Sequence, residues 1–119
     1  MNFDLKTPYE QFDDMISIFR ERGLKIRGNI FNMTPWVFVS SFSSRRFVHI
    51  ELRGSYIMVD CMQRSNNPVD SPLCCETRCY DVGSASFDYI SFCAMCCEIE
   101  TWITPEHLRE WYEERRYNY

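Results

Sequence analysis

The sequence has little of what recognition of an enzyme usually starts from. Only two histidines occur, His49 and His107, and glycines number four. There is no glycine-rich phosphate loop, no His-Glu-x-x-His pair and no Gly-x-Ser-x-Gly elbow, so the common nucleotide-binding, metalloprotease and hydrolase signatures are missing. No apolar run reaches the roughly 18 residues that a membrane-spanning helix requires. The opening MNFDLKTPYEQF lacks the basic-then-apolar order of a secretory signal. The expectation is a cytoplasmic protein with no membrane contact, in a compartment where structural disulfides are rare. Internal repeats and low-complexity segments are also absent.

Charge of either sign is too thinly spread to define a partner. The net charge is −4, and residues 25–64 hold six Lys and Arg against two carboxylates while both flanks are acidic. A duplex-binding protein carries a denser basic patch, and a nucleic-acid mimic is acidic throughout, so nucleic acid is disfavoured as a partner. What the chain does have is apolar bulk: 45% hydrophobic and 16% aromatic residues in 119. That suits one domain with its own core and leaves aromatic surface over for a partner or ligand.

Local patterns predict an α+β fold with an N-terminal helix, an antiparallel meander and a C-terminal helix. TPYE at 7–10 opens the first helix, with Thr7 as cap, Pro8 at the first helical position and Glu10 closing the capping box. Tyr9, Phe12, Met15, Ile16 and Phe19 then recur at helical spacing, and Gly23 ends a helix over 8–22. Between 25 and 62 the period changes to short runs rich in Val, Ile and aromatics, which reads as three or four antiparallel strands. Residues 64–72 form a loop by composition, and 73–81 an edge strand. Alternation over 87–103 predicts one or two further strands, although Phe87, Ile90, Ala94 and Cys97 also fit a helix. A second Thr-Pro pair at 104–105 starts the last helix, with Leu108, Trp111 and Tyr112 as its apolar stripe.

Six of the seven cysteines fall within residues 74–97. Cys75-x3-Cys79 and Cys93-x2-Cys96 have spacings that could supply four thiolates to zinc. Yet SFCAMCCEI is an apolar run without the tight turn of a zinc knuckle. As a strand it would aim Cys93 and Cys96 at opposite faces; as a helix they would share a side. Free cysteine packs as a small hydrophobe, so the cysteines are read mainly as core, with no cofactor. Zinc on Cys75, Cys79, Cys93 and Cys96 is the minority alternative, beside disulfide or redox roles.

Strand parity gives a more informative surface. With 46–53 and 55–62 paired through an even-length turn, Val48, Ile50, Leu52, Ile57, Val59 and Cys61 share one face. The opposite face carries Phe47, His49, Glu51, Arg53, Tyr56, Met58, Asp60 and Met62, joined by Trp36, Phe38, Ser40 and Phe42 from the preceding strand. One register sets His49 opposite Asp60, and this pairing disfavours a Cys61–His49 dyad because it puts the two on opposite faces. A mixed aromatic and ionic face is the recipe for a ligand site. Here His49 would be the catalytic acid–base, the catalytic carboxylates Asp60 and Glu51 would hold a cation, and Phe38, Phe47, Arg53 and Tyr56 would bind the ligand, the aromatics by stacking on a ring.

The stretch FSSRRFVHIELRGSYIMVDC, after a helix and an NIF strand, resembles in part the processing region of bacterial S-adenosylmethionine decarboxylases. In that family a Glu-Ser pair cleaves to a pyruvoyl group, a His follows soon after, and a VD strand comes next. Ser44 and His49 occupy the corresponding places, whereas Ser43 stands where the Glu belongs and Cys61 falls short of the family's acid cysteine. The resemblance implies a small-molecule enzyme acting on a sulfonium nucleoside. The leading expectation is different: a protein-binding or inhibitor domain, of an immunity or phage counter-defence type, acting through exposed aromatic and acidic surfaces. Trp111, Tyr112, Tyr117 and Tyr119 would supply partner-binding anchors, being of the types enriched at interfaces. Self-association into a homo-oligomer is a further option.

Overall fold

The computed structural model describes residues 6–42 and 44–104. Its elements run α1 (Pro8–Glu21), β1 (Lys25–Asn29), β2 (Trp36–Ser40), β3 (Arg46–Arg53), β4 (Tyr56–Gln63), β5 (Leu73–Asp81) and α2 (Tyr89–Ile103). The five strands form one sheet in sequence order, every neighbouring pair antiparallel. The fold is thus the expected α+β arrangement of helix, antiparallel meander and C-terminal helix.

Helix α1 begins as its sequence dictates. The Thr7 hydroxyl accepts the Glu10 N–H at 3.1 Å and the Glu10 carboxylate accepts the Thr7 N–H at 3.2 Å, so the capping box satisfies two otherwise orphaned donors. Its buried stripe, Phe12, Met15, Ile16 and Phe19, packs into one cluster with the aliphatic face of the sheet. Each such side chain, removed from water, contributes roughly 1.5–3 kcal/mol. The β3–β4 hairpin turns through Gly54 and Ser55, flanked by the Arg53–Tyr56 pair. Gly54 takes φ 61°, the left-handed value that a two-residue hairpin turn demands at its first position. An even-length loop preserves parity across the hairpin. Val48, Ile50, Ile57, Val59 and Cys61 are accordingly all fully buried.

The segment 87–103 departs from the strand reading: Tyr89–Ile103 form α2. Asp88 caps it, its carboxylate accepting the Ser91 N–H at 2.9 Å. Phe92, Met95, Cys96, Ile99 and Ile103 then face the core at a 3.6-residue period. The physical reason lies outside the segment. An antiparallel sheet with one aliphatic face needs that face covered, and α1 is only 14 residues long. A local alternation of apolar and polar residues gave way to that larger burial. The helix expected from residue 105 lies outside the described residues, as do His107 and Leu108.

The two helices are tied to each other and to the sheet by polar contacts. The Arg22 guanidinium donates to both oxygens of the buried Glu100 at 3.3 and 3.4 Å. Gln11 donates to the Val82 carbonyl at 2.9 Å. The Trp102 indole N–H is shared between the Phe47 and Met62 carbonyls at 3.2 and 3.1 Å, where the β4–β5 register slips between Cys61 and Met62. Both helices are thereby fixed on the same side of the sheet, and no described helix covers the other side.

Candidate functional site

The uncovered face is ordered into rows by the strand registers. Lys25, Ser40, Phe47 and Met62 form one cross-strand row. Arg27, Phe38, His49, Asp60 and Thr77 form the next, and Asn29, Trp36, Glu51, Met58 and Cys79 the third. Arg53, Tyr56 and Asp81 close the face at the hairpin end. Aromatic rings run through its middle. Trp36 and Phe38 meet edge to face with centroids 5.7 Å apart, Phe38 lies 6.1 Å from Phe47, and the His49 ring is 4.9 Å from that of Phe38.

His49, Asp60 and Glu51 occupy the face that parity assigned to them, in adjacent rows. His49 Nδ1 lies 3.6 Å from Asp60 Oδ2, and the other Asp60 oxygen accepts the Thr77 hydroxyl at 2.9 Å. Glu51 is engaged by Arg53 at 3.0 Å rather than by His49. The His49 and Asp60 side chains are 28% and 40% exposed, so the pair lies open to water. Neither residue lines the cleft between β5 and α2 or the cleft at the β1 edge of the sheet. Phe38 and Phe47 are close together, whereas Arg53 and Tyr56 lie at the far end by the hairpin. The expected ligand set is therefore divided between two regions. Phe42 is not part of the sheet, because β2 ends at Ser40; it stands 84% exposed beneath the Lys25 ammonium, 4.9 Å from its ring centroid. Trp111, Tyr112, Tyr117 and Tyr119 lie outside the described residues.

The cysteines separate by burial. Cys61, Cys93 and Cys96 are core residues, Cys97 is half-buried, and Cys74, Cys75 and Cys79 are exposed on β5. All seven are free thiols. Zinc on Cys75, Cys79, Cys93 and Cys96 fails geometrically: one pair is exposed on an edge strand and the other is enclosed beneath α2. Among the described residues no three His, Cys, Asp or Glu side chains are arranged to hold a metal ion. Burial pushes the Cys61 and Cys96 thiols above the ordinary thiol range, which makes them inert as nucleophiles. In the resembled pyruvoyl region, the Ser44 hydroxyl accepts the Arg46 N–H at 3.0 Å, a turn contact that opens β3.

Two clefts flank the sheet. One, between β5 and α2, is lined by hydroxyls and acids; there Tyr80 donates to Glu98 at 2.7 Å, and burial together with that carboxylate raises the phenol's pKa. The other opens on the uncovered face at the β1 edge, among Lys25, Arg27, Phe38, Ser40, Phe47 and Arg64. Sequence reasoning missed Lys25, Arg27 and Arg64. The alternation in KIRGN was a usable signal for the first two, since it aims Lys25 and Arg27 the same way. Arg64 follows the end of β4, where parity gives no guidance. Comparison with protein-family models, curated proteins and solved structures finds no match to this chain.

Proposed function

We propose that this protein acts by binding another protein through the open face of its sheet, as a small inhibitor domain of the immunity or phage counter-defence type. One observation carries the reading: Trp36, Phe38, Tyr56, Met58 and Met62 all lie on a sheet face that neither α1 nor α2 covers. Aromatic and methionine side chains in contiguous rows are the composition of an interface core, and Trp, Tyr and Arg are its usual anchors. The exposure of the His49–Asp60 pair suits a macromolecular contact better than catalysis, because acid–base chemistry gains most where water is excluded. No helix among the described residues is long and apolar enough to cross a membrane. The reading puts the encounter in the cytoplasm, where exposed thiols such as Cys74, Cys75 and Cys79 stay reduced.

The test is capture of partners on immobilised protein, followed by affinity measurement with each partner found. W36A combined with Y56A should abolish capture, whereas D13A combined with E21A on α1 should leave it intact. Capture that survives on the sheet-face variant, or that the α1 variant loses, refutes the assignment.

A second reading, a small-ligand enzyme acting on a sulfonium nucleoside, is favoured by the row Thr77–Asp60–His49, in which the Thr77 hydroxyl donates to an Asp60 carboxylate that lies 3.6 Å from the imidazole. It requires that H49A and D60N each abolish turnover of a metabolite. Unchanged turnover in both variants removes it.

A further inference from the structure

We propose that the cleft at the β1 edge of the open face binds a nucleoside phosphate, with its base against Phe38 and its phosphates among Lys25, Arg27 and Arg64. This site shares Phe38 with the protein-binding face, but nucleotide binding there does not require that reading, and its ligand differs in charge from a sulfonium nucleoside. The cleft has a volume of about 400 Å³, within the ordinary range for a small-molecule site.

Its walls have two parts. Phe38 and Phe47 form an aromatic floor, their rings inclined at 53° to each other. Lys25, Arg27 and Arg64 form the rim, and no carboxylate among the described residues lines the cleft. That sign runs against a chain whose net charge is −4. Among the described residues none of the ion pairs involves Lys25, Arg27 or Arg64. Their positions follow from the strands. Lys25 stands in register with Ser40 and Arg27 with Phe38, so both cations flank the floor on one side. Arg64 comes from the other side, its guanidinium 5.0 Å from the centre of the Phe47 ring.

Three cations without carboxylates select an anion carrying two or three charges, and repel a sulfonium. A bare phosphate would leave the aromatic floor unused, and an uncharged nucleoside would leave the cations unused. A ring joined to phosphates uses both. Base-on-aromatic stacking contributes roughly 1–3 kcal/mol per base, and the charge-assisted hydrogen bonds of Lys and Arg to phosphate oxygens supply the rest. The Ser40 hydroxyl, on the same wall, adds a neutral donor.

Calorimetric titration of the full chain with ADP, adenosine, pyrophosphate and O-phosphotyrosine tests this, with R64E, a K25E/R27E double variant and F38L. All three cations are solvent-exposed, so the charge reversals leave the core intact and circular dichroism verifies it. ADP should bind at millimolar concentration or tighter, with adenosine and pyrophosphate each weaker by about tenfold or more. R64E and K25E/R27E should each weaken ADP by at least about tenfold, and F38L should bring ADP down toward pyrophosphate. No ADP binding at millimolar concentration overturns the proposal. So does pyrophosphate binding as tightly as ADP, which would reveal charge attraction alone, or undiminished binding by R64E. O-phosphotyrosine binding tighter than ADP assigns the cleft to a phosphorylated peptide and likewise overturns it.

Discussion

The burial of the cysteines predicts a reactivity order that can be measured residue by residue. Thiolates react with disulfide or maleimide reagents only where the reagent reaches them. Cys74, Cys75 and Cys79 are exposed, so they should be modified at the rate of a free peptide thiol. Cys61 and Cys96 are 0% exposed and Cys93 is 3% exposed, so these three react only when the structure opens. At about 0.05 kcal/mol per residue, the lower end of ordinary stability, a chain of this length resists global opening by about 6 kcal/mol. That slows modification roughly ten-thousandfold or more. The raised pKa of Cys61 and Cys96 slows it further near neutral pH. Pulsed alkylation read by peptide mass spectrometry should therefore show three fast sites, Cys97 between, and three slow sites that become fast together in denaturant. Co-protection of Cys75 and Cys79 with Cys93 and Cys96, or metal released as they react, would refute the packing on which the fold description rests. So would fast modification of Cys96 in the native state.

Three further outcomes follow from particular contacts. A Cβ on Gly28 would lie 2.2 Å from the Trp36 carbonyl oxygen and 2.7 Å from the Val37 Cα, both backbone atoms of the neighbouring strand. G28A should pry β1 from β2 and lose about 2 kcal/mol, two ladder hydrogen bonds at about 1 kcal/mol each; an unchanged urea midpoint contradicts this. R22M takes the guanidinium from the nearly inaccessible Glu100 and should lose about 2–3 kcal/mol, whereas R22M/E100L should recover part of it because no charge is then buried. A double variant less stable than R22M would show that the contact matters for another reason. Finally, folding favours the neutral thiols of Cys61 and Cys96, whose pKa values burial raises. Their contribution is complete below the ordinary thiol pKa of 9.0 and declines as pH rises beyond it. Urea titrations at pH 7 and pH 10 should show a loss at the higher pH that C61V/C96A reduces.

Much of the molecule was legible because it depends on short-range rules. The Thr7–Glu10 box is fixed by four consecutive residues, and the two faces of β3 and β4 by a period of two through an even turn. The His49–Asp60 register follows from the same parity with Gly54 and Ser55 as the loop. The shared face of Phe38, Phe47 and His49 was legible in the central strands for that reason, and their rings adjoin. It was not legible at its edges. Arg53 and Tyr56 share the face with Phe38 but sit beside the hairpin, a separation along the strands that facing alone does not express. Phe42 left the sheet because β2 ended sooner than the run of apolar residues did.

Sequence by itself determined the cap of α1, the turn at Gly54 and which side chains of each central strand share a face, because each depends on neighbours within a few positions. Only the tertiary structure decided that 89–103 is a helix, since its local pattern allowed two periods and the exposed aliphatic face of the sheet chose between them. The same packing divided the cysteines between core and surface. It also brought Arg64, distant in sequence from Lys25 and Arg27, to the cleft those two residues border. Burial and proximity of this kind are properties of the assembled layers, and no single stretch of the chain contains them.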